Sequence, residues 1–490
     1  MRQSGILLHI TSLPGPEGIG TLGKSAYAFA DFLKSSGMSV WQVLPISPTG
    51  YGESPYQSFS TYAGSPLMID LETLADEGLI SKQAPVKPAD RVDYPLVMAF
   101  KEVMLREAFS RADGHMLKEA AEFAAGQAHW LSDYSLFMAL KAHFGGGPWM
   151  DWPDEGIRRR NPDAMEKYSK LLWDDIRYHS FVQYLFFKQW RALKTYANRQ
   201  GIRIFGDMPI YVAMDSSDCW ASPGVFLLDR DLKPRAVAGV PPDYFSRDGQ
   251  LWGNPLYDWK AMKRTGYAWW INRLRAMGDY YDLIRVDHFI GFANYYAVPY
   301  GASTARNGCW RRGPGRHFFS RVKKELPQLN IIAEDLGAVN HKVKLLLDYC
   351  GYPGMKVLSF GFSGGDDNTH RLHRVKRHCV AYTGTHDNDT LLGWWSKAGK
   401  EEKENAVRLL HMKEGSDITD HMMQALFASP AGLAILPMQD ILRLDGSARM
   451  NLPGTLGGNW VWRMRPDAVN IGLAAGLRAL NVRYERENKA

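Results

Sequence analysis

Short apolar runs bounded by turn residues recur along the chain and predict eight buried β-strands. They begin at Gly5, Ser39, Ile202, Tyr281, Asn330, Met355, Cys379 and Leu433. Amphipathic stretches with apolar residues three and four apart lie between them and predict helices, for example from Ala26, Gly266, His317 and Lys342. Because alternating strands and helices require parallel pairing, the pattern predicts an α/β fold, a (β/α)8 TIM barrel closed by a last helix from about Asp467 to Arg486.

Two connections are too long to be simple crossovers. Residues 70–177 contain helical patterns and predict a mainly helical insertion subdomain on the barrel rim. Residues 212–265 are rich in Gly, Pro and aromatic residues and predict a long structured loop over the active site. We therefore expect one catalytic barrel domain over residues 1–490, with large insertions at its C-terminal face, where barrels carry their binding sites.

Composition excludes several classes of protein. With 45% hydrophobic and 23% charged residues the chain is that of an ordinary globular protein. The net charge of +7 over 59 basic and 52 acidic residues is a small excess, and the basic segment 371–378 has no interleaved aromatics, so we expect a solvated helix face there and no nucleic-acid partner. Four widely separated cysteines, no basic leader and no long apolar stretch predict a cytoplasmic protein without a membrane partner. The oligomeric state is open.

Carboxylates fall at or near the C-terminal ends of five predicted strands. They are Asp207, Asp287, Glu334, Asp387 and Asp440. That end of a barrel is its catalytic face. An Asp inside an apolar run has no capping or turn explanation, although a salt bridge to a barrel arginine would account for any single one of these acids. The set as a whole indicates a functional site.

A ring of carboxylates suits either metal binding or cleavage of a glycosidic bond. His9, His288 and His386 also lie near strand ends, so residue types alone leave a metal centre open. Arg285 lies two positions before Asp287, where a fixed cation would keep that acid ionised and repel a divalent metal. Aromatic residues in the long loops, which core packing would also explain one by one, suit sugar rings. The sequence favours a sugar substrate, and we expect neither a metal nor a cofactor.

Eight segments, in order, resemble those of one enzyme family. They are SLPGPEGIG, WQVLPISPTGYGESPYQSFSTYAG, FGDMPIYVAMDSSDCW, GVPPDYFSRDGQLWGNPLYDW, RVDHFIGF, IIAEDLG, GTHDNDT and ARMNLPGT. Together they are similar to the amylomaltases, the 4-α-glucanotransferases within the α-amylase superfamily. The resemblance implies transfer of a segment of a 1,4-α-D-glucan, such as a maltooligosaccharide, to the 4-hydroxyl of an acceptor by a retaining mechanism.

The resemblance also implies roles for individual residues. Asp287 would be the nucleophile, Glu334 the general acid/base, and Asp387 the carboxylate that holds the glucosyl 2- and 3-hydroxyls. The implied substrate-binding residues are Arg285, His386, Asp207, Asn388, Tyr56, Ser54, Gln57, Tyr244, Phe245 and Trp252. Tyr51 would belong to a secondary glucan site.

Other activities remain open at this point. The same three acids serve a hydrolase, and a glucan-binding scaffold without activity could use the same barrel. Val212 stands where amylases usually carry a His, which favours the transferase subgroup. We expect residues 244–259, with Gly249 and Gly253 as flexible points, to form a lid that excludes water.

Overall fold

The computed structural model describes residues 2–83, 89–242, 247–337, 339–413 and 415–488, with the side chain of Tyr51 left out. Its strands are β1 (Gln3–Leu7), β2 (Val40–Gln42), β3 (Arg203–Met208), β4 (Ala236–Val240), β5 (Gln250–Pro255), β6 (Leu283–Val286), β7 (Asn294–Pro299), β8 (Cys309–Arg312), β9 (Ile331–Ala333), β10 (Gly354–Val357), β11 (Cys379–Tyr382) and β12 (Leu433–Pro437).

The helices pack mainly around and above these strands. They are α1 (Lys24–Ser35), α2 (Leu71–Asp76), α3 (Tyr94–Arg111), α4 (Gly114–Gly126), α5 (Leu131–His143), α6 (Glu155–Arg158), α7 (Pro162–Leu171), α8 (Trp173–Arg199), α9 (Ser217–Ala221), α10 (Trp259–Arg264), α11 (Ala268–Tyr280), α12 (Gly315–Glu325), α13 (His341–Cys350), α14 (Leu391–Lys397), α15 (Lys400–Leu409), α16 (Ile418–Ala428), α17 (Met438–Ile441) and α18 (Ile471–Arg483). No helix in the described ranges is long and apolar enough to cross a membrane.

Within the described residues, eight parallel strands form a nearly closed barrel in the order β10, β11, β12, β1, β2, β3, β6, β9. Each contains residues of one of the eight predicted strands, so the predicted barrel is confirmed. Strands such as β12 and β11 are buried along their whole length, as expected of strands covered on both faces. The C-terminal ends of the parallel strands meet at one rim, which is where the predicted carboxylates lie.

Helices α2 to α7 occupy much of the range expected to be a helical insertion, and α8 begins inside that range and continues to Arg199. Two buried glutamines on α8 fasten it to the barrel loops. The amide of Gln183 bonds the backbone of Gly64, and the amide of Gln189 bonds the backbone of Asp70, each in both directions. These paired bonds satisfy buried backbone groups that no ladder reaches.

The range 212–265 differs from the long loop that we expected, since its described residues include α9, β4, β5 and α10. Strands β4 and β5 pair antiparallel with each other, and β4 pairs with β7, which pairs with β8. The sheet order is β5, β4, β7, β8. The sequence did not predict this sheet because β8 is exposed throughout and carries no apolar alternation.

The basic segment 371–378 is not the helix face that we expected. It contains a single 3-10 turn, Leu372–Arg374, and enters β11 at Cys379. Arg371 is buried, pairs with Asp366, and donates to the carbonyl of Gly364 at 2.8 Å. The charge therefore serves a local loop instead of a helix surface.

The N-terminal end of the barrel depends on a buried arginine that follows α18. Arg486 donates to the carbonyls of Phe427, Ser429, Ala431 and Gln3 at 2.7–2.9 Å. These carbonyls belong to the segment before β12 and to β1 itself. One guanidinium thus joins the last helical segment to two neighbouring strands.

Replacing this arginine with Met is expected to lower the free energy of unfolding by about 3 kcal/mol or more, because each buried carbonyl left without a donor costs about 1–3 kcal/mol. The matched control is Arg483→Met, at the exposed end of α18, which should change stability little. Urea or thermal unfolding of both variants measures the difference. Equal stability of the two variants would contradict this role for Arg486.

Candidate active site

All five predicted carboxylates lie in a barrel strand or in the segment that follows one. Asp207 is in β3, Asp287 follows β6, and Glu334 follows β9. Asp387 is in the loop between β11 and α14, and Asp440 is in α17, directly after β12. Parallel pairing brings these positions to the same rim of the barrel.

Arg285 is shared between two of these acids. The pairing of β3 with β6 sets Asp207 opposite Arg285. One guanidinium nitrogen of Arg285 donates to Asp207 and another to Asp287. Burial opposes the charge on Arg285, but Asp207 and Asp287 outweigh it and hold its pKa well above the ordinary value. Asp207 is buried, whereas the side chain of Asp287 is 26% exposed and can reach a ligand in the open rim.

Glu334 is held by backbone amides in a buried setting. His288 donates its N–H to Oε2 at 2.8 Å, and Leu336 donates its N–H to Oε1 at 2.7 Å. Burial, and then the charge of Asp287, raise the pKa of Glu334 to about 8, against the effect of Arg285 and of these two amides. At neutral pH the side chain is therefore mainly protonated and can act as an acid.

The backbone at His288 is strained. Its φ of 47° lies in the left-handed region, which costs a residue with a side chain about 1 kcal/mol or more. This conformation follows Asp287 directly and accompanies the bond from the His288 amide to Glu334. The turn thus links the position of one acid to that of the other.

Asp387 is fixed by two residues from beyond β12. Asn451 donates its amide N–H to Oδ1 at 2.6 Å, and Arg449 donates to the backbone carbonyl of Asp387. The side chain of Asp387 is 42% exposed, so its other oxygen remains open to a ligand, at 3.3 Å from His386 Nε2. The sequence analysis gave no role to Arg449 or Asn451. Their only signal was their place in the ARMNLPGT segment.

Asp440 does not face the open rim. It is buried and accepts hydrogen bonds from the hydroxyl of Thr383 at 2.7 Å and the N–H of Leu391 at 2.8 Å. Burial raises its pKa to about 6. These bonds join the two ends of the loop that carries His386 and Asp387, so Asp440 supports this loop from below.

Tyr56 connects Asp207 to the Asp387 loop. Its hydroxyl donates to Asp207 Oδ2 at 2.6 Å and lies 2.8 Å from His386 Nε2, and the Tyr56 and His386 rings are stacked at 5.4 Å. The hydroxyl of Ser54 accepts the backbone N–H of Tyr56 at 3.3 Å. The predicted residues Tyr56, Ser54, Asp207, Arg285 and His386 thus form one connected group.

Strand β5 of the second sheet lies against the same rim. The Trp252 ring meets the His288 ring edge to face at 4.9 Å. Gln57 donates to Asn254 Oδ1 at 3.2 Å and to the carbonyl of Trp252 at 3.4 Å. The part of the expected lid after residue 246 therefore contains strand β5, and Gly253 lies within that strand.

The remaining predicted site residues fall into two groups. Asn388 uses its side-chain oxygen within the loop, where it accepts from the N–H and hydroxyl of Thr385 at 2.8 and 2.9 Å. Tyr244, Phe245 and the side chain of Tyr51 lie outside the described residues. In the part of the chain that the structure describes, no group of three His, Cys, Asp or Glu side chains is arranged to hold a metal ion.

Comparisons with known proteins agree on one family. A family model described as 4-alpha-glucanotransferase matches residues 8–469. A 4-alpha-glucanotransferase of Streptococcus pneumoniae is 45% identical over 495 residues, covering 100% of this chain and 98% of the relative. One from Thermus thermophilus is 45% identical over 496 residues, covering 99% of each. A solved structure of an amylomaltase from Streptococcus agalactiae in complex with acarbose superposes with a TM-score of 0.97 at 40% identity, covering 100% of both chains.

The buried environment of Glu334 predicts that the free energy of unfolding falls as the pH rises. Its pKa of about 8 in the folded state lies above the ordinary value of 4.5, so the folded state binds the proton more tightly than the unfolded state. Stability contributed by this proton is fully present below pH 4.5 and is lost as the pH rises towards 8. At about 1.4 kcal/mol per pKa unit, the loss by pH 8 amounts to about 4 kcal/mol at most.

Glu334→Gln should remove most of this loss, because a glutamine does not ionise. Any penalty from the altered hydrogen bonds is the same at both pH values, so the measured quantity is the gain over wild type at pH 8 minus the gain at pH 4. The control is Asp174→Asn, whose carboxylate is 87% exposed and should give no such difference. A gain that is the same at pH 4 and pH 8 would contradict the buried, protonated state of Glu334.

Proposed function

The chain belongs to the 4-alpha-glucanotransferase family, and we propose that Asp287, Glu334 and Asp387 carry out the transfer. As a member of this family it is a transferase, an amylomaltase that moves part of an α-glucan to an acceptor. The observation that supports our assignment is that two acids at one rim of the barrel, Asp287 and Glu334, have opposite surroundings. Asp287 is bonded to a buried guanidinium, while Glu334 is buried and protonated at neutral pH.

In the first step Glu334 donates its proton to the glycosidic oxygen as the bond to the anomeric carbon breaks. The carboxylate of Asp287 attacks that carbon and forms a glucosyl ester, and the shortened glucan leaves with a free 4-hydroxyl. Arg285 donates to the attacking carboxylate and orients it. Because the pKa of Glu334 is raised, its side chain carries a proton at neutral pH and can donate it.

In the second step Glu334, now ionised, accepts the proton from the 4-hydroxyl of an acceptor glucan or glucose. The acceptor oxygen attacks the anomeric carbon and releases Asp287, so two inversions retain the configuration. Water in place of the acceptor would give hydrolysis. Transfer therefore needs a site that excludes water and orients the sugar hydroxyl.

Substrate contacts are proposed for residues around these acids. Asp387, held by Asn451, is suited to the 2- and 3-hydroxyls of the glucosyl ring because one of its oxygens remains open. Tyr56, His386, Gln57 and Trp252 border the same rim. Asp207 and Arg285 are buried, so we assign them to holding Asp287 and Tyr56. Ser54, Asn388, Tyr244, Phe245 and, at a secondary glucan site, Tyr51 follow from the family resemblance.

We also propose the organisation and setting of the chain. Residues 1–490 form one catalytic domain, in which 70–177 are a helical insertion and 212–265 cover the site. The α-glucan substrates are maltooligosaccharides. A cytoplasmic location is supported by the four cysteines, which are unpaired thiols in the described structure.

Incubation of the pure protein with maltotriose tests the activity. A transferase gives glucose and a ladder of longer maltooligosaccharides, a hydrolase gives only glucose and maltose, and a scaffold gives no change. Asp287→Asn should abolish the ladder. The transfer rate should fall by about a thousandfold or more, because the variant has lost its nucleophile. Asp174→Asn, an exposed carboxylate, is the control and should keep the ladder. Full activity of Asp287→Asn would refute the nucleophile assignment.

Trp252→Ala should raise the ratio of hydrolysis to transfer several-fold, because the Trp252 ring covers His288 beside Asp287 and excludes water. The matched control is Leu251→Ala, the exposed neighbour on the opposite face of β5. The ratio is measured as free glucose released against new longer products. If both variants keep the wild-type ratio, Trp252 does not exclude water from the intermediate.

A further inference from the structure

The barrel is incomplete between β9 and β10. Within the described residues these strands stand at the two ends of the eight-stranded order, without a ladder between them. One backbone bond crosses the gap, from the N–H of Ala333 to the carbonyl of Pro353 at 2.9 Å. We call this gap the β9–β10 seam. Glu334 is the residue that follows β9, so the seam opens beside the proposed acid.

Side chains replace the missing ladder on the β10 edge. Alternate residues of a strand direct their N–H groups to the same neighbour, so Met355 and Val357 both face the seam. The N–H of Met355 donates to Asp335 Oδ1 at 2.6 Å, and the N–H of Val357 donates to His370 Nδ1 at 3.1 Å. Burial, and then the charge of Lys356, lower the pKa of His370 to about 4, so at neutral pH its ring is uncharged and can accept.

Gly354 fits the carboxylate of Asp335. A Cβ at this position would lie 2.7–2.9 Å from the three carboxyl atoms of Asp335, closer than van der Waals contact allows. Gly354 does not have a positive φ, so an alanine there would be strained by this contact and not by its backbone conformation. Only a residue without a side chain therefore leaves room for the Asp335 carboxylate at position 354.

Glu334 is fixed from the opposite side of the seam. Its N–H donates to the carbonyl of Val286 at 3.1 Å, and its carbonyl accepts the N–H of Phe289 at 3.0 Å. Residue 334 is thus joined to the β6 side, and the next residue, Asp335, reaches across to β10. The two residues together span the gap.

We propose that Asp335 is a positioning residue that closes the β9–β10 seam and thereby keeps Glu334 buried and in place for proton transfer. This rests on the proposed role of Glu334 as acid and base. Asp335 itself touches neither the substrate nor the reacting atoms, since its carboxylate is used by β10.

Closure matters because burial is the largest cause of the raised pKa of Glu334. The other groups that face Glu334 are Asp287 and Arg285 on the β6 side and Tyr382 on β11, and none of them belongs to the seam. The charge that faces Asp335 is that of Lys356 on β10. Opening the seam would admit water to Glu334 while leaving those other groups in position, so its pKa would fall towards the ordinary value.

The experiment is a double-mutant cycle read by the pH profile. Asp335→Ala should lower kcat on maltotriose by roughly tenfold to a hundredfold with little change in KM, because a small displacement of a proton donor is costly. It should also move the alkaline limb of kcat/KM, near pH 8 in the wild type, by about one unit to lower pH. Asp335→Asn keeps an oxygen that can accept from Met355 and should retain the wild-type limb.

Gly354→Ala should reproduce the effect of Asp335→Ala, since its methyl group displaces the carboxylate. In the Asp335→Ala background the same change should add little, because the collision partner is gone. Gly476→Ala, a glycine with open space on α18, is the matched control for the methyl group and should leave kcat, KM and the alkaline limb unchanged. Unfolding midpoints of all variants show which of them remain folded at the assay temperature.

Two results would overturn the proposal, namely an unshifted alkaline limb in Asp335→Ala or full additivity of the two substitutions. Glu334→Gln separates this from the proposed function. If that variant transfers glucan at the wild-type rate, the acid role fails and the positioning role fails with it. If it is inactive and the wild type shows the limb near pH 8, an unshifted limb in Asp335→Ala refutes the positioning role alone.

Discussion

The site is organised by one buried guanidinium that serves two carboxylates. Asp207 is buried and would be costly as an ion without a partner, and Arg285 would be equally costly alone. The register of β3 against β6 puts them side by side, and a second guanidinium nitrogen of Arg285 then donates to Asp287. From Asp207 the same network continues through the Tyr56 hydroxyl to His386. The strand register, set by the barrel core, thereby determines the orientation of a carboxylate that faces the open rim.

Asp287 and Glu334 lie near this guanidinium in different surroundings. Asp287 bonds Arg285 directly, whereas Glu334 receives only backbone amides and lies in a buried pocket, which raises its pKa. The charge of Asp287 raises it further, so ionisation of one acid favours protonation of the other. The left-handed backbone at His288 keeps the two acids close together. It places the N–H of His288, the residue after Asp287, against the side chain of Glu334.

The sequence predicted the barrel strands from continuous apolar runs, and the candidate site from acids at the ends of those strands. All eight barrel strands were found because buried parallel strands are apolar on both faces. The β8 edge of the second sheet was not, because its four residues are exposed. Asp440 looked like the other acids in sequence, and only its contacts with Thr383 and Leu391 distinguish it. Asn451 was missed because it reaches Asp387 from 64 residues away, a distance that no local pattern encodes.

Buried polar groups at the two ends of the barrel are stabilised in different ways. At the N-terminal end, Arg486 bonds neutral carbonyls, so its contribution is independent of pH over the range in which a guanidinium stays charged. At the C-terminal end, the pKa values of Glu334 and Asp440 are raised to about 8 and about 6, mainly by burial. Each therefore binds its proton more tightly in the folded state, and this contribution to stability is lost as the pH rises past the ordinary carboxyl range. The protons of Glu334 and Asp440 do not affect the bonds of Arg486, so the raised pKa values of these two acids lower stability at one rim without weakening the contacts at the other.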